Sequence, residues 1–216
     1  MTTNNKLNEL MASVIHRYSA RFNKLGSDVR TLGWGNKDQQ YFRFKQALRI
    51  QNFNNKSILD IGCGFGDFYY ACMESGINIS HYTGWDINPD LIEAAQNKNT
   101  KSSFKVIDIS TTRDISVIAD IGVMLGVLNL NFKDNYNNID FSKMMIKKAF
   151  DSVSESLVVD FLSSKLDLVY PEEDFVFYHD PAAMLTYALT LTPNVRLFHD
   201  YAPIPQKEFM LVLEHV

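Results

Sequence analysis

The chain has 216 residues, 46% of them hydrophobic and 21% charged, which is typical of a globular protein with one hydrophobic core. Its formal net charge of −4 disfavours a nucleic-acid partner, because such a partner usually requires a basic face. The most apolar window, residues 118–130, is shorter than the roughly 20 residues of a membrane-spanning helix, so no membrane partner is expected. There is no visible secretion signal, and the two cysteines, Cys63 and Cys72, lack the spacing of a metal site. A reducing, cytoplasmic location without a bound metal is therefore the expectation.

Residues 1–50 are predicted to form a helical cap that is part of the same domain as the core, residues 51–216. The first helix of the cap is indicated by apolar residues at helical spacing between Leu7 and Ile15. A glycine-interrupted segment, LGWG at 32–35, separates it from a second helix over 38–49.

From Ser57 onward, short β-rich runs alternate with helical runs, which indicates an α/β fold with a largely parallel sheet covered on both faces. The predicted strands are 57–61, 82–87, 104–109, one within 118–128, 157–161, 195–201 and 208–214. The predicted helices are 67–75, 89–97, 140–150 and 181–191. The linker 202–206 is too short for a helical crossover, so the last two strands are expected to pair antiparallel. Lys143, Lys147 and Lys148 are interpreted as the solvated face of a helix.

Three glycines follow the first predicted strand, in the sequence ILDIGCGFGDF. Gly62, Gly64 and Gly66 would permit a tight turn with a ligand close to the main chain, at the strand end where α/β sheets bind ligands. A dinucleotide fingerprint needs a small residue where this chain has Asp67. A carboxylate at that helix start would also repel a pyrophosphate. A diphosphate ligand is disfavoured, whereas a nucleoside without phosphates is allowed.

Two carboxylates end the next two predicted strands. Asp86, in GWDIN, can accept hydrogen bonds from both ribose hydroxyls, with Ile87 against an adenine face. Asp108 is suited to accept from an adenine amino group. Together with the glycine turn, these residues predict a pocket for an adenosine that carries no phosphate.

With these motifs the chain resembles the class I S-adenosylmethionine-dependent methyltransferases. LDIGCGFG matches the first motif of that family, GWDIN the acidic second motif and KVIDI the third. GVMLGVLNL, residues 122–130, resembles the fourth strand and its following loop, and the terminal hairpin matches the antiparallel seventh strand. The resemblance covers residues 40–216. It implies a Rossmann-like seven-stranded sheet, S-adenosylmethionine as cofactor and S-adenosylhomocysteine as product.

The resemblance also implies which residues would contact the cofactor. They are Gly62, Cys63, Gly64 and Gly66 at the methionine part, Asp86 at the ribose, Ile87, Asp108 and Ile109 at the adenine, and Leu125 and Gly126 in the channel toward the sulfonium. Arg43, on the cap helix, is the candidate counter-charge for the methionine carboxylate, with Trp34 as a wall. A surface arginine on an amphipathic helix is the alternative interpretation of Arg43.

The catalytic residues are less clearly indicated. Because the sulfonium is already an activated donor, the protein mainly has to align the nucleophile and exclude water. Asn129, beyond the fourth strand, has the best position for polar contact with an acceptor, and Asp160 is second. His199 and Tyr201 are further catalytic candidates on one face of the sixth strand, with hairpin packing as the competing interpretation. Tyr18 and Arg21 of the cap are candidates to close the pocket.

The leading functional hypothesis is methyl transfer to a nitrogen, oxygen or sulfur atom of a small molecule, mainly by proximity and orientation. The negative charge, the absence of an appended RNA-binding domain, and a cap and insertion (162–181) that would enclose a compact substrate favour it. The alternatives are a macromolecular methyltransferase acting on protein or RNA, and a non-catalytic S-adenosylmethionine-binding protein. GVLNL replaces the Asn-Pro-Pro-Tyr type of loop that amide and base acceptors often require. A monomer or homodimer is expected.

Overall fold

The computed structural model describes residues 3–165, 172–201 and 207–216. Within these residues the chain forms six α-helices and seven β-strands. The helices are α1 (Thr3–Leu25), α2 (Lys37–Ile50), α3 (Asp67–Glu74), α4 (Pro89–Lys98), α5 (Asn138–Asp151) and α6 (Pro181–Ala188). The strands are β1 (Ser57–Ile61), β2 (His81–Asp86), β3 (Ser103–Val106), β4 (Ala119–Met124), β5 (Val153–Leu162), β6 (Asn194–Phe198) and β7 (Glu208–Glu214). Short 3₁₀ turns occupy Val29–Leu32 and Lys133–Asn135.

The strands form one sheet in the order β3-β2-β1-β4-β5-β7-β6. The pairs from β3 to β5 are parallel, whereas β7 lies antiparallel between β5 and β6. The strand order reverses between β1 and β4, where Ile58 is opposite Ile121. Ligands of such sheets bind at the carboxyl ends of the strands beside this reversal. The predicted Rossmann-like fold with an antiparallel terminal hairpin is confirmed.

Neighbouring residues of the central strands face opposite layers, because side chains alternate along a strand. Ile58 of β1 packs in the cluster that contains Phe44 of α2 and Phe68 of α3. Leu59 packs in the cluster on the other face, which includes Met145 of α5. The sheet is therefore covered by helices on both faces.

Most element ends fall close to the predicted bounds, and β1 and β7 match them. Strand β3 ends at Val106 rather than residue 109, because Asp108 forms a turn in which its carboxylate accepts from the main-chain nitrogen of Ser110 at 2.9 Å. Strand β6 ends at Phe198, so His199 and Tyr201 lie beyond it. The predicted linker 202–206 lies outside the described residues.

Helix α1 packs against the edge of the sheet where the motif loops emerge. Its residues Leu7, Leu10 and Met11 are buried in the same cluster as Leu59 of β1. The side-chain nitrogen of Asn88 donates to Ile15 O and to Ser19 Oγ, each at 3.0 Å. The cap helix is thus joined to the core by both apolar packing and hydrogen bonds.

Candidate active site

A cavity of about 140 Å³ lies over the carboxyl ends of β1, β2 and β4, beneath helix α1. We call it the first cavity. Nine of the residues predicted to contact the cofactor line it: Trp34, Gly62, Cys63, Asp86, Ile87, Asp108, Ile109, Leu125 and Gly126. The motifs identified in the sequence are therefore brought together at one place, although they are spread over four loops.

The glycine turn forms the floor of this site. Gly62, Gly64 and Gly66 have φ values of 74°, 52° and 69°, in the left-handed region that residues with a Cβ rarely adopt. Only Gly62 of the three lines the first cavity. The nitrogen of Gly64 donates to Asp86, and Gly66 caps the start of α3, where a Cβ would meet the ring of Phe104. Gly64 and Gly66 shape the turn rather than its exposed surface.

Asp67 is the first residue of α3, as predicted. At this position its carboxylate was expected to disfavour a diphosphate ligand. Its carboxylate accepts from the Gln40 side chain at 3.1 Å and pairs with Lys98 at 2.5 Å. The positive end of α3 is thus already covered by an anionic side chain. A phosphate at this helix start would face that carboxylate.

Asp86 is held by the main chain on both of its oxygens. The nitrogen of Gly64 donates to Oδ2 at 3.0 Å and that of Asn88 to Oδ1 at 2.9 Å. Each carboxylate oxygen can accept more than one hydrogen bond, so both retain acceptor capacity toward the cavity. Burial raises the pKa of Asp86, while these main-chain bonds oppose the rise.

Asp108 lies in a loop whose main chain is held by hydrogen bonds from the side chain of Lys148. The Lys148 Nζ donates to the carbonyl oxygens of Ile109 at 3.0 Å, Ser110 at 2.7 Å and Thr112 at 2.7 Å. The interpretation of Lys148 as part of a solvated helix face was therefore wrong. Lys147 does lie on a solvated helix face, since its side chain is exposed and pairs with Asp151 one helical turn away.

Asp60 also lines the first cavity, and the sequence analysis did not select it. It is 4% exposed, and Tyr82 donates a hydrogen bond to its Oδ2. Burial raises the pKa of Asp60 to about 7, and the hydrogen bond from Tyr82 only partly offsets this. A carboxylate inside an otherwise apolar strand was the signal that could have identified it.

A second cavity, of about 480 Å³, adjoins the first. The two cavities share five of their lining residues: Tyr18, Leu32, Trp34, Gly126 and Leu130. Further walls of the second cavity come from α1, through Arg17 and Arg21, and from the segment 173–176. That segment belongs to the predicted insertion, and Tyr18 and Arg21 are the residues predicted to close the pocket.

Arg43 lines the second cavity but not the first, and it is not free to act as a counter-charge for the cofactor. Its side chain is 5% exposed, with Nε 3.3 Å from Asp160 Oδ2, and its Nη2 pairs with Glu208. The guanidinium also lies 4.3 Å from the centre of the Trp34 ring. Since two buried carboxylates already neutralise Arg43, a ligand carboxylate would gain little from it. The surface-arginine alternative fails as well, because the residue is buried.

Of the four catalytic candidates, only Asn129 lines a cavity, and Asp160 is buried in its ion pair with Arg43. It lines the second cavity, where its side-chain oxygen accepts from Leu162 N at 3.1 Å. His199 and Tyr201 line neither cavity. Their predicted common face was also wrong, because β6 ends before them: His199 packs edge-on against Phe209, whereas Tyr201 stacks on Phe42 in the opposite cluster. Hairpin packing, the competing interpretation, accounts for His199, whereas Tyr201 packs on Phe42 of α2.

Comparison with known proteins decides the class of this site. Residues 52–115, which contain the glycine turn, Asp86 and Asp108, match a family model described as a methyltransferase domain. This segment of the chain is similar to a methyltransferase domain. The cofactor of such methyltransferases is S-adenosylmethionine, as the motifs predicted. The comparison with curated proteins found no match.

Solved structures agree with the methyltransferase fold. Magnesium protoporphyrin IX methyltransferase (ChlM) from Synechocystis, with bound S-adenosylhomocysteine, has a TM-score of 0.63 at 15% identity, covering 97% of each chain. The DhpI complex with S-adenosylhomocysteine also has a TM-score of 0.63, at 17% identity, covering 94% of this chain and 95% of that one. An S-adenosylmethionine-dependent methyltransferase from Clostridium acetobutylicum reaches 0.58 at 12% identity, covering 92% and 98%. At these identities the likeness concerns the fold.

The donor set of the first cavity fits such a cofactor chemically. Asp86 and Asp108 offer acceptors for hydroxyl and amino groups, and Ile87, Ile109 and Leu125 offer apolar surface for a base. In the part of the chain that the structure describes, no group of three or more His, Cys, Asp or Glu residues is arranged to hold a metal ion. None of the described helices has the length and apolar character needed to cross a bilayer.

Proposed function

We propose that this methyltransferase transfers a methyl group from S-adenosylmethionine, bound in the first cavity, to a small molecule bound in the second. The observation that carries the proposal is that the two cavities meet at Trp34 and Gly126. A donor site and an acceptor site must share such a boundary, because in-line transfer requires the reacting atoms to be about 3 Å apart. When bound, the cofactor supplies an already activated methyl group.

The residues of the first cavity would bind the cofactor and orient it. In this proposal Asp86 accepts from the ribose hydroxyls, Asp108 from the adenine amino group, and Gly62 admits the methionine part close to the main chain. Asp60 replaces Arg43 as the charged residue at that end. We propose that its carboxylate binds the ammonium group of the methionine part, because Asp60 lies near the end of β1 and lines the cavity.

The chain's remaining contribution is alignment and exclusion of water. Helix α1 and Trp34 cover the boundary between the cavities, and apolar residues surround it, so a nucleophile there would be shielded from solvent. The described residues of the second cavity include no histidine, and Glu173 is the carboxylate among them. We therefore propose catalysis by proximity and orientation, with Asn129 as a polar contact for the acceptor.

The experiment is a labelling assay that separates acceptor classes. The protein is incubated with methyl-labelled S-adenosylmethionine and a cell extract, which is then divided by ultrafiltration into small-molecule and macromolecular fractions. We expect label in the small-molecule fraction, and no label with Asp86→Ala. Label confined to the macromolecular fraction would support the alternative of a protein or RNA acceptor. Saturable binding of S-adenosylhomocysteine without any transfer would instead support a non-catalytic binding protein.

A further inference from the structure

We propose that the second cavity binds an acceptor with an anionic group, a carboxylate or a phosphate, held by Arg17 and Arg21. This inference rests on the proposed function, since it specifies the molecule that occupies the acceptor site. It concerns the charge of the ligand, which neither the glycine turn nor the family match determines.

The charges that line the second cavity are mostly positive. Arg17, Arg21 and Arg43 line it, and Glu173 is the carboxylate among its described lining residues. Arg43 is paired with Asp160 and Glu208 beneath the surface. Within residues 3–165, 172–201 and 207–216, neither Arg17 nor Arg21 forms an ion pair with a carboxylate. A protein of net charge −4 thus places at one cavity two guanidinium groups that pair with no carboxylate of the described residues.

The two arginines lie one helical turn apart on α1, so both side chains are on the same face of the helix. Arg21 is held in place, because its Nε donates to Arg30 O at 3.1 Å and to Thr31 O at 3.0 Å. Both guanidinium groups act on the hydroxyl of Tyr18, which lines the same cavity: burial raises the pKa of Tyr18, and Arg17 and Arg21 lower it. Asp86 of the first cavity raises the same pKa, so Tyr18 lies within electrostatic reach of that carboxylate as well as of the two guanidinium groups.

The other walls favour an apolar body on the same ligand. Trp34, Leu130, Leu162, Phe175 and Val176 contribute apolar surface. An aromatic or aliphatic acid would place its body against these residues and its anionic group against the guanidinium groups. Guanidinium suits this role, because its planar array of donors matches a carboxylate or phosphate.

The test compares two probes of the same shape in the presence of saturating S-adenosylhomocysteine, which fills the first cavity. Anilinonaphthalene sulfonate carries an anionic group on an aromatic body, and phenylnaphthylamine is its uncharged counterpart. Fluorescence titration should show the anionic probe binding at least about tenfold more tightly, which corresponds to roughly 1.4 kcal/mol. Arg17→Gln should reduce this preference, and Arg17→Gln/Arg21→Gln should abolish it.

A matched control removes two positive charges elsewhere. Lys101→Gln/Arg113→Gln changes two exposed residues that line neither cavity, and should keep the full preference. Equal binding of both probes to the native chain, or an unchanged preference in the double arginine variant, would overturn the inference. Calorimetry separates the two proposals: with S-adenosylhomocysteine binding intact, such a result removes the anionic acceptor alone, whereas no binding of S-adenosylhomocysteine removes the proposed function as well.

Discussion

The main-chain nitrogen of Gly126 donates to Asp160 Oδ1 over 2.5 Å, at the boundary between the two cavities. The other oxygen of Asp160 lies 3.3 Å from Arg43, whose guanidinium packs on the ring of Trp34. Gly126 and Trp34 are thus both supported by one buried ionic network. The three charged residues of this network do not line the first cavity, but they support Trp34 and Gly126, which line both cavities.

Removing the cation of this network should destabilise the fold strongly. Arg43→Met leaves the carboxylates of Asp160 and Glu208 buried without a counter-charge, and should lower the free energy of unfolding by about 3–5 kcal/mol. The measurement is urea denaturation. Arg49→Met on the same helix is the control, because Arg49 is about half exposed and should cost no more than about 1 kcal/mol.

Neutralising the two acids as well should recover much of that loss. Arg43→Met/Asp160→Asn/Glu208→Gln leaves no uncompensated charge, and the amide oxygen of residue 160 can still accept from Gly126 N. We expect the free energy of unfolding of this triple variant to exceed that of Arg43→Met by at least about 2 kcal/mol. Equal losses in the free energy of unfolding for Arg43→Met and Arg49→Met would contradict a stabilising role of Arg43 in the ionic network.

Gly126→Ala should impair cofactor binding through Trp34. Gly126 has φ of 80°, and a Cβ on it would lie 2.8 Å from the Trp34 ring. Gly76→Ala is the matched control, since Gly76 has φ of 72° but no atom within 4 Å of the added carbon. Both variants should lose about 1–2 kcal/mol for the left-handed conformation.

Only Gly126→Ala should also weaken S-adenosylhomocysteine binding, by at least about tenfold, or about 1.4 kcal/mol. Calorimetry measures this, and a change in tryptophan fluorescence should accompany it. If Gly76→Ala weakens binding equally, the loss reflects stability alone and the role assigned to Trp34 fails.

Lys148→Met should loosen the loop that carries Asp108. The substitution removes three hydrogen bonds to the carbonyl oxygens of residues 109, 110 and 112 but keeps an apolar stem. S-adenosylhomocysteine should bind about tenfold more weakly, while an adenine-free probe of the glycine turn, methionine, should be unaffected. Lys147→Met serves as control, because Lys147 contacts Asp151 on the exposed side of the same helix. Equal affinities for the two lysine variants would contradict the predicted role of Lys148.

The stability of the protein should depend on pH through Asp60. Its pKa is raised from 3.8 to about 7 in the folded chain, so the protonated form stabilises the fold. That contribution is complete below about pH 4 and is lost progressively as the pH rises from there through about 7. Between about pH 6 and about pH 8 it should fall by about 1.4 kcal/mol.

Asp60→Asn removes this titration and keeps an acceptor for the Tyr82 hydroxyl. The stability difference between the variant and the native chain should therefore shift by about 1.4 kcal/mol in favour of the variant over that interval. Urea denaturation at both pH values measures the shift. A difference that does not change with pH would show that Asp60 has an ordinary pKa.

The sequence was most informative where local chemistry decides structure. The glycine turn, Asp86 and the start of α4 at Pro89 each depend on a few neighbouring residues, and each lies where it was predicted. The pairing of Arg43 with Asp160 and Glu208 joins α2, β5 and β7, and no local pattern records such a contact. Lys148 was misinterpreted for the same reason, since its acceptors lie 36 to 39 residues earlier in the chain.

Asn88 links two regions that would otherwise appear separate. Its main-chain nitrogen fixes Asp86, while its side-chain nitrogen holds the middle of α1. A helix that moved outward to admit a nucleoside would have to break both of these side-chain bonds and leave the side-chain nitrogen of a completely buried residue without its acceptors. The rate at which the cofactor enters and leaves would then depend on the side chain of Asn88. Exchange should be slow in the native chain and fast in a variant whose side chain at this position is shorter or lacks the amide.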